Sequence, residues 1–497
     1  RSRNNGRNMS FFVIAKDVIV FLFWTVIFIM KNIVNLFIPL KYKMKSIAGE
    51  ITLVTGGGGG LGRLTALRLA NLGAIVVIWD VNKAGMEETV KLVQSAGGTC
   101  YGYVCDLCDK EDIYKKAELV KKEVGKVTIL INNAGVAHEL KFLDSPDKLL
   151  IRTMDVNVMS HFWTSKAFLP SMLEDNKGHI VSIASLAGFI GVPCLVDYCT
   201  SKYAAIGFEE ALHMELIANG YDINMTVVCP FFIRSTGTKN VCTGKLICII
   251  VPDKDSVAAF KDFEDSPSST VPVPRTIAST LPSVQKKPIM SFFVAAGAFV
   301  IFLFWSVIFS IKDIFKSLIP LKYKMKSIDG EIILVTGGAG GIGKLICLML
   351  ANLGAIVVVW DINKAGMEET VKLARTAGGT CYGYVCDLCD KEDIYKKAEL
   401  VKKEVGKVTI LINNAGVGRR FKFLDVTDKL LKRTIDVNVM SHFWMTKAFL
   451  PSMLEDNKGH IVSIASLAGF VGVPYFVDYC TSKFAIIGFE EALHMEL

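Results

Sequence analysis

The sequence predicts an α/β protein built of two doubly wound parallel-sheet domains, each preceded by an apolar segment, with the second domain the shorter. Three observations predict this. Adding 281 to a residue number maps the first half onto the second without a gap, taking Met9 to Met290, Thr55 to Thr336 and Leu216 to Leu497, the last of 497 residues. Within each copy, short β-branched runs alternate with amphipathic stretches, the pattern of a parallel sheet covered on both faces. Each alternation opens with a glycine cluster lying between a strand and a helix.

In the first copy a strand is expected at Ile51 to Thr55, then the turn Gly56 to Gly60 with Gly62, helical periodicity from Leu64 to Leu72 and a strand from Ile75 to Trp79. A helix near Glu87 to Ala96, a strand from Tyr101 to Val104, a helix from Ile113 to Val124 and a strand from Thr128 to Ile131 follow. A long helix from about Asp155 to Leu173 leads to strand His179 to Ile183, and a sixth strand spans Ile223 to Cys229. Substrate is expected beyond the carboxyl ends of these strands. The implied divisions are a first anchor at 9–40, a first dinucleotide-binding domain at 46–237, a junction and linker at 238–287, a second anchor at 288–320 and a second domain at 327–497.

Composition supports folded material, with 51% hydrophobic residues and 41 glycines. The net charge of +8 raises nucleic-acid binding, but lysines cluster beside the apolar segments, at 31, 41, 43 and 45 and again at 312, 316, 322, 324 and 326. That placement suits an anionic membrane surface and argues against a nucleic-acid partner. Pro288 to Ile311 is uncharged for 24 residues, enough to cross a bilayer, whereas Lys16 and Asp17 leave only Val18 to Met30 uncharged in the first copy. Two spans with nothing between them would put the copies on opposite sides, so at least one segment is expected to lie in the interface. Thirteen cysteines include a CxxC at Cys105 and Cys108, repeated at Cys386 and Cys389, read as either a redox pair or ordinary thiols, the thiols being preferred. Seven histidines form no metal motif, and no metal site is expected.

The glycine loop lets backbone approach a pyrophosphate, and the following helix offers its unpaired N–H groups to the negative charge. Asp80, at the end of the second strand, can accept the adenosine ribose hydroxyls and repels a 2′-phosphate, which favours NAD over NADP, with Lys83 near enough to soften the preference. Tyr198 and Lys202 are i and i+4 on one helix. A phenol is a poor base at neutral pH unless an ammonium stabilises its anion, and Lys202 is placed to do so. Ser185, just after a strand, can bond a substrate oxygen. Alone, the Tyr and Lys would also fit an ordinary helix surface. His161 reads as a hydrogen-bonded helix histidine, and His138, replaced by Arg419 in the second copy, as a rim position.

TGxxxGxG at Thr55 to Gly62, NNAG at Asn132 to Gly135, Asn157, Ser185 and YxxxK at Tyr198 to Lys202 together resemble the short-chain dehydrogenase/reductase family with its Rossmann fold. The WDxNKxGxEET segment from Trp79, HFWTSKAFLPSM from His161 and VCPFF near Pro230 are similar to its membrane-associated retinol and hydroxysteroid dehydrogenases. The resemblance implies that Tyr198 is the general acid/base, Ser185 polarises the reacting oxygen, Lys202 lowers the tyrosine pKa and holds ribose, and Asn157 supports a proton-relaying water. It implies Asn438, Ser466, Tyr479 and Lys483 as the corresponding set in the second copy. For NAD it implies Gly56, Gly60, Leu61, Gly62, Asp80, Asp106, Asn133 and Lys202, and Gly337, Gly341, Ile342, Gly343, Asp361, Asp387, Asn414 and Lys483. The implied activity is oxidation of a lipophilic alcohol, retinol to retinal or a hydroxysteroid, at the endoplasmic reticulum membrane with the domains facing the cytosol, or at lipid droplets. A nucleotide-binding membrane-surface protein without turnover is the rival reading.

The chain departs from this pattern in two places. Pro230 is followed by Phe231 where the family has glycine, and IRSTGTKNVCTGKLICII no longer resembles the expected substrate lid. The second copy stops before its sixth strand, which would leave a hydrophobic sheet edge open. The first copy is therefore expected to be the active unit. The resemblance implies pairing through long helices, between chains or between the two copies, and Leu246 to Val251 is a strand-like run that could complete a neighbouring sheet. A fused or incompletely delimited gene product would explain the same features.

Overall fold

The computed structural model describes residues 46–231, 248–251 and 327–497. Both apolar segments, the linker and most of the altered run after Phe231 lie outside the described residues, and among those described no helix is long and apolar enough to cross a membrane.

The first copy runs β1 (Ile51–Thr55), α1 (Gly60–Asn71), β2 (Ile75–Asp80), α2 (Lys83–Ser95), β3 (Thr99–Val104), α3 (Lys110–Glu123), β4 (Ile129–Asn132), α4 (Asp147–Met154), a π turn (Asp155–Met159), α5 (Ser160–Glu174), β5 (Gly178–Ile183), α6 (Val196–Ala218), β6 (Ile223–Pro230) and β7 (Cys248–Val251). The sheet order is β3-β2-β1-β4-β5-β6-β7, parallel except where β7 pairs antiparallel with β6. The strand-like run predicted near Leu246 thus extends the first copy's own sheet and no neighbour's.

The second copy repeats this as β8 (Ile332–Thr336), α7 (Gly341–Asn352), β9 (Ile356–Asp361), α8 (Lys364–Thr376), β10 (Thr380–Val385), α9 (Lys391–Glu404), β11 (Ile410–Asn413), α10 (Asp428–Ile435), a π turn (Asp436–Met440), α11 (Ser441–Glu455), β12 (His460–Ser463) and α12 (Val477–Glu496). Its sheet order is β10-β9-β8-β11-β12, so β12 is an edge strand among the described residues.

Local chemistry accounts for the helix starts that periodicity places late. Asn82 caps α2 by accepting from the Gly85 N–H at 3.2 Å, and Asp109 caps α3 through the Glu111 and Asp112 N–H groups at 2.9 and 3.4 Å. Glu111 and Asp112 in the first turn of α3, and Lys121 and Lys122 in its last, match the helix dipole. The helix expected from Asp155 to Leu173 is the π turn followed by α5, and α4 starts the helical stretch eight residues earlier, at Asp147; a 3.6-residue period reveals neither.

The two copies share one core. α6 and α12 lie face to face under an approximate twofold: Gly207 receives the Phe484 ring, and Gly488 receives Tyr203, so closely that a Cβ would lie 2.6 Å from one ring and 2.4 Å from the other. Phe142 packs edge-on against Phe443 and Phe489, and Phe208 packs against Phe423. At the rim, Asp428 accepts from Lys166 at 2.9 Å and Lys110 at 3.3 Å, and Asp147 accepts from Lys447 at 2.8 Å and Lys391 at 3.0 Å. Each contact has its counterpart 281 residues away, the signature of an isologous pairing.

Candidate active site

The glycine loop sits between the carboxyl end of β1 and the start of α1. Gly56 and Gly60 have positive φ values of 67° and 49°, and a Cβ on Gly62 would lie 2.1 Å from the Gly56 carbonyl oxygen, so these positions need glycine. A Cβ on Gly59 would meet nothing within 4 Å, leaving open space before the amino end of α1. Gly337 and Gly341 repeat the positive φ values, and Gly343 repeats the close approach of Gly62. The residues therefore fit a dinucleotide: open backbone, a helix amino end and an acid at the end of β2.

Asp80 shapes this loop. One carboxylate oxygen accepts from Gly58 N–H and the other from Asn82 N–H, each at 2.8 Å. Asp361 makes the equivalent bonds to Ala339 and Asn363 at 2.9 and 2.8 Å. Asn133 ties the loop to the strand beside it, donating to the Thr55 carbonyl at 2.8 Å, and Thr55 Oγ1 accepts from the Asn133 and Ala134 N–H groups. Asn414 does the same around Thr336. Asp106 accepts from the Cys108 N–H at 3.0 Å and so organises the turn after β3, as Asp387 does with Cys389. Leu61 and Ile342 occupy the first turns of α1 and α7, Ile342 exposed. The cysteines of the CxxC are free thiols, with Cys105 buried and Cys108 exposed.

Sequence reasoning passed over Arg63. Its guanidinium donates to the Gly58 carbonyl at 2.9 Å and pairs with Glu88 at 2.6 Å, so a cation does stand near the Asp80 loop. The signal was present in the repeat: Lys344 replaces it and pairs with Glu369 at 2.8 Å.

The π turn points Asn157 inward. Its amide donates to the Val136 carbonyl at 2.9 Å and to Ser201 Oγ at 2.9 Å, and its oxygen accepts from the Val136 N–H at 2.8 Å. The side chain thus fastens the NNAG loop to α6. Lys202, only 3% exposed, donates to the Ile183 carbonyl at 2.7 Å and stands 5.6 Å from the centre of the Tyr198 ring. Its Nζ and the Asn157 oxygen converge on Gly135, 3.4 and 3.5 Å from where a Cβ would be. Ser185 opens a short 3-10 turn by accepting from the Ala187 N–H at 3.1 Å, and its hydroxyl interacts with the Tyr198 phenol. Asn438, Ser466, Tyr479 and Lys483 take the same places, with Lys483 5.6 Å from the Tyr479 ring centre and 2.8 Å from the Ile464 carbonyl.

Electrostatics differ in one respect from the sequence expectation. Burial drives the Tyr198 phenol above its ordinary value, and the Ser185 contact only partly offsets this. Burial also brings the Lys202 ammonium down to about 8, so it stays mostly protonated at pH 7. Desolvation is thus the dominant influence on Tyr198 at this depth, opposed by the Ser185 contact.

Behind Lys202 lies a polar group that the sequence did not signal. Ser182 Oγ hydrogen-bonds the Glu209 carboxyl and His161 Nδ1, the latter at 3.1 Å. Burial holds Glu209 well above the carboxylate range and takes His161 down to about 3, leaving a neutral, buried histidine as the helix pattern suggests.

A short chain dehydrogenase family model matches residues 50–245 and again 331–497. Over 205 residues the chain is 52% identical to short-chain dehydrogenase/reductase family 16C member 6 of Bos taurus, covering 41% of this chain and 65% of that one. It is 51% identical over 210 residues to epidermal retinol dehydrogenase 2 of Homo sapiens, covering 42% and 68%, and 46% identical over 228 residues to estradiol 17-beta-dehydrogenase 11 of Mus musculus, covering 46% and 76%. The matched stretch thus spans about two thirds of the first two relatives. One family model accounts for each copy in turn, and the chain belongs to the short chain dehydrogenase family.

Proposed function

We propose that the chain is an NAD-dependent oxidoreductase that interconverts a lipophilic alcohol and its carbonyl, with retinol as the preferred substrate class and a hydroxysteroid as the alternative. The observation that carries this reading is the convergence of Ser185, Tyr198, Lys202 and Asn157 beside the glycine loop and Asp80. Relatives named retinol and estradiol dehydrogenases support an alcohol of this kind. An oxidised nicotinamide, when bound, supplies the hydride acceptor and a positive charge.

The chain's own residues do the rest. Ser185 donates to the substrate oxygen and holds it against the Tyr198 phenol, fixing the carbon that loses hydride. Tyr198 holds its proton at rest, since burial disfavours the phenolate. In the reductive direction it gives that proton to the carbonyl oxygen. In the oxidative direction it must first become phenolate, and Lys202 is the cation placed to stabilise that state. Asn157 keeps the NNAG loop and α6 in register, and a water held near it would relay the proton. Gly56, Gly60 and Gly62 admit the pyrophosphate, and Asp80 accepts from ribose hydroxyls, which favours NAD over NADP despite Arg63. The apolar segments 9–40 and 288–320 would keep the domains at the endoplasmic reticulum membrane or a droplet surface, where such alcohols dissolve.

The test is NADH or NADPH formation by the full chain in detergent with all-trans-retinol and, separately, a 17β-hydroxysteroid. Turnover with NAD that falls at least 100-fold in Ser185→Ala supports the reading. Dinucleotide binding without turnover on either alcohol contradicts it.

A further inference from the structure

The loop that joins Ser185 to Tyr198 is held from the other copy. At Cys194, four residues before Tyr198, φ is 61°, a left-handed conformation that a cysteine rarely adopts. The Cys194 N–H donates to Glu496 Oε2 at 3.0 Å, and the same carboxylate accepts from the Phe142 N–H at 2.7 Å through Oε1. The Cys194 carbonyl in turn accepts from the Leu140 N–H at 3.0 Å. One glutamate at the end of α12 therefore holds two segments of the first copy, at Phe142 and at Cys194 in the loop between Ser185 and Tyr198. A second close contact lies beside it: a Cβ on Gly191 would sit 2.5 Å from the Glu491 carbonyl carbon.

The arrangement is reciprocal. Tyr475 has φ 69°, its N–H donates to Glu215 Oε2 at 3.1 Å, and Glu215 Oε1 accepts from the Phe423 N–H at 2.7 Å. Two non-glycine residues at equivalent positions, both left-handed and both tied to a carboxylate from the opposite copy, mark a selected contact and not a chance one.

We propose that Glu496 is a positioning residue for the first site, holding the Cys194 loop so that Ser185 and Tyr198 keep their spacing. The second copy then serves the first as a brace, whatever its own turnover. The catalytic part of this proposal rests on the oxidoreductase reading above. Removing the carboxylate frees two backbone N–H groups and relaxes a strained residue, so the loop opens and the phenol drifts.

The experiment compares the full chain with Glu496→Gln, Glu496→Ala and Glu215→Ala by peptide-level hydrogen exchange and by turnover. Exchange at 140–143 and 190–195 is expected to rise about tenfold in Glu496→Ala and less in Glu496→Gln, which keeps one acceptor. Exchange at 421–424 and 473–476 should stay unchanged in both. In Glu496→Ala, kcat should fall about tenfold with dinucleotide Kd within twofold, and Glu215→Ala should loosen only the second copy's loop and leave kcat alone. Unchanged exchange at 190–195 in Glu496→Ala overturns the brace. Loosening of both loops together, or an equal loss of kcat in Glu215→Ala, also overturns it by showing general interface failure. A full chain without turnover contradicts the proposed function instead, and the exchange measurement alone then decides whether Glu496 holds the loop.

Discussion

β5 and β12 carry nearly the same residues and sit in different surroundings. In the first copy β6 lies against β5, Ala184 N–H donates to the Val228 carbonyl at 2.8 Å, and Ile180, Val181 and Ser182 are fully or almost fully buried. In the second, Ile461, Val462 and Ser463 are only half-buried. The consequences reach the site. Glu209 is buried, and His161 finds Ser182, whereas Glu490 is partly open and, among the described residues, His442 makes no counterpart bond to Ser463. Leu467, which directly follows Ser466, is 79% exposed. Among the described residues, the same candidate side chains thus stand in a closed setting once and a more open one once. A motif fixes which groups meet, while the neighbouring strand fixes how dry the meeting place is.

The largest expected break in this comparison is Lys202→Met. Turnover should fall by about 10³-fold. Stability should move the other way. The folded ammonium has a pKa near 8 against 10.5 unfolded, so the folded state binds fewer protons between those values and wild-type stability rises with pH across that window. The burial cost, roughly 3 kcal/mol at neutral pH, disappears in the variant together with the Ile183 bond, for a net gain of about 2 kcal/mol. Denaturant titrations at pH 7 and 9.5 check both the gain and the lost pH slope.

Next, Ile180→Ala should cost about 3 kcal/mol and Ile461→Ala about 1 kcal/mol, because the first side chain is fully buried and leaves a closed cavity while the second is only half-buried. Equal costs would show that β12 is covered as well as β5. The interface offers a finer contrast. Gly488→Ala drives a Cβ into Tyr203, whose hydroxyl is held by Glu491, while Gly207→Ala meets the Phe484 ring, which has no such tether. The expected costs are about 2 and about 1 kcal/mol by thermal unfolding. The smallest effect is at the rim. Burial would raise the Asp428 carboxyl, but Lys166 and Lys110 hold it below its ordinary 3.8. A depressed folded value gives stability above the unfolded pKa that is lost as pH falls through the folded one. Asp428→Asn should therefore cost about 1 kcal/mol or less at pH 7, and the cost should shrink steadily as pH falls below 3.8 through the lower folded value.

Much of this was legible in the sequence. Strand bounds read from β-branched runs agree with the structure within two residues, because a short parallel strand is a compact compositional signal. The dinucleotide loop and the Ser, Tyr and Lys set were legible because glycine and short spacings encode local geometry. Helix starts at Lys83 and Lys110 were missed because capping by Asn82 and Asp109 sets them, ahead of any apolar period. The π turn around Asn157, the Glu209 cluster and the rise in the Tyr198 pKa depend on what packs from elsewhere, which no local window contains. Glu496 and Glu215 find their partners only across the two copies, some 260 to 302 residues away, which no local window contains.

The most direct test of the central claim, that the strand-covered first copy carries the chemistry, is NADH formation by the unaltered chain, Tyr198→Phe and Tyr479→Phe at saturating alcohol. The account predicts a loss of about 10³-fold in Tyr198→Phe and less than a twofold change in Tyr479→Phe. Loss of half or more of the activity in Tyr479→Phe, or its survival in Tyr198→Phe, would contradict it.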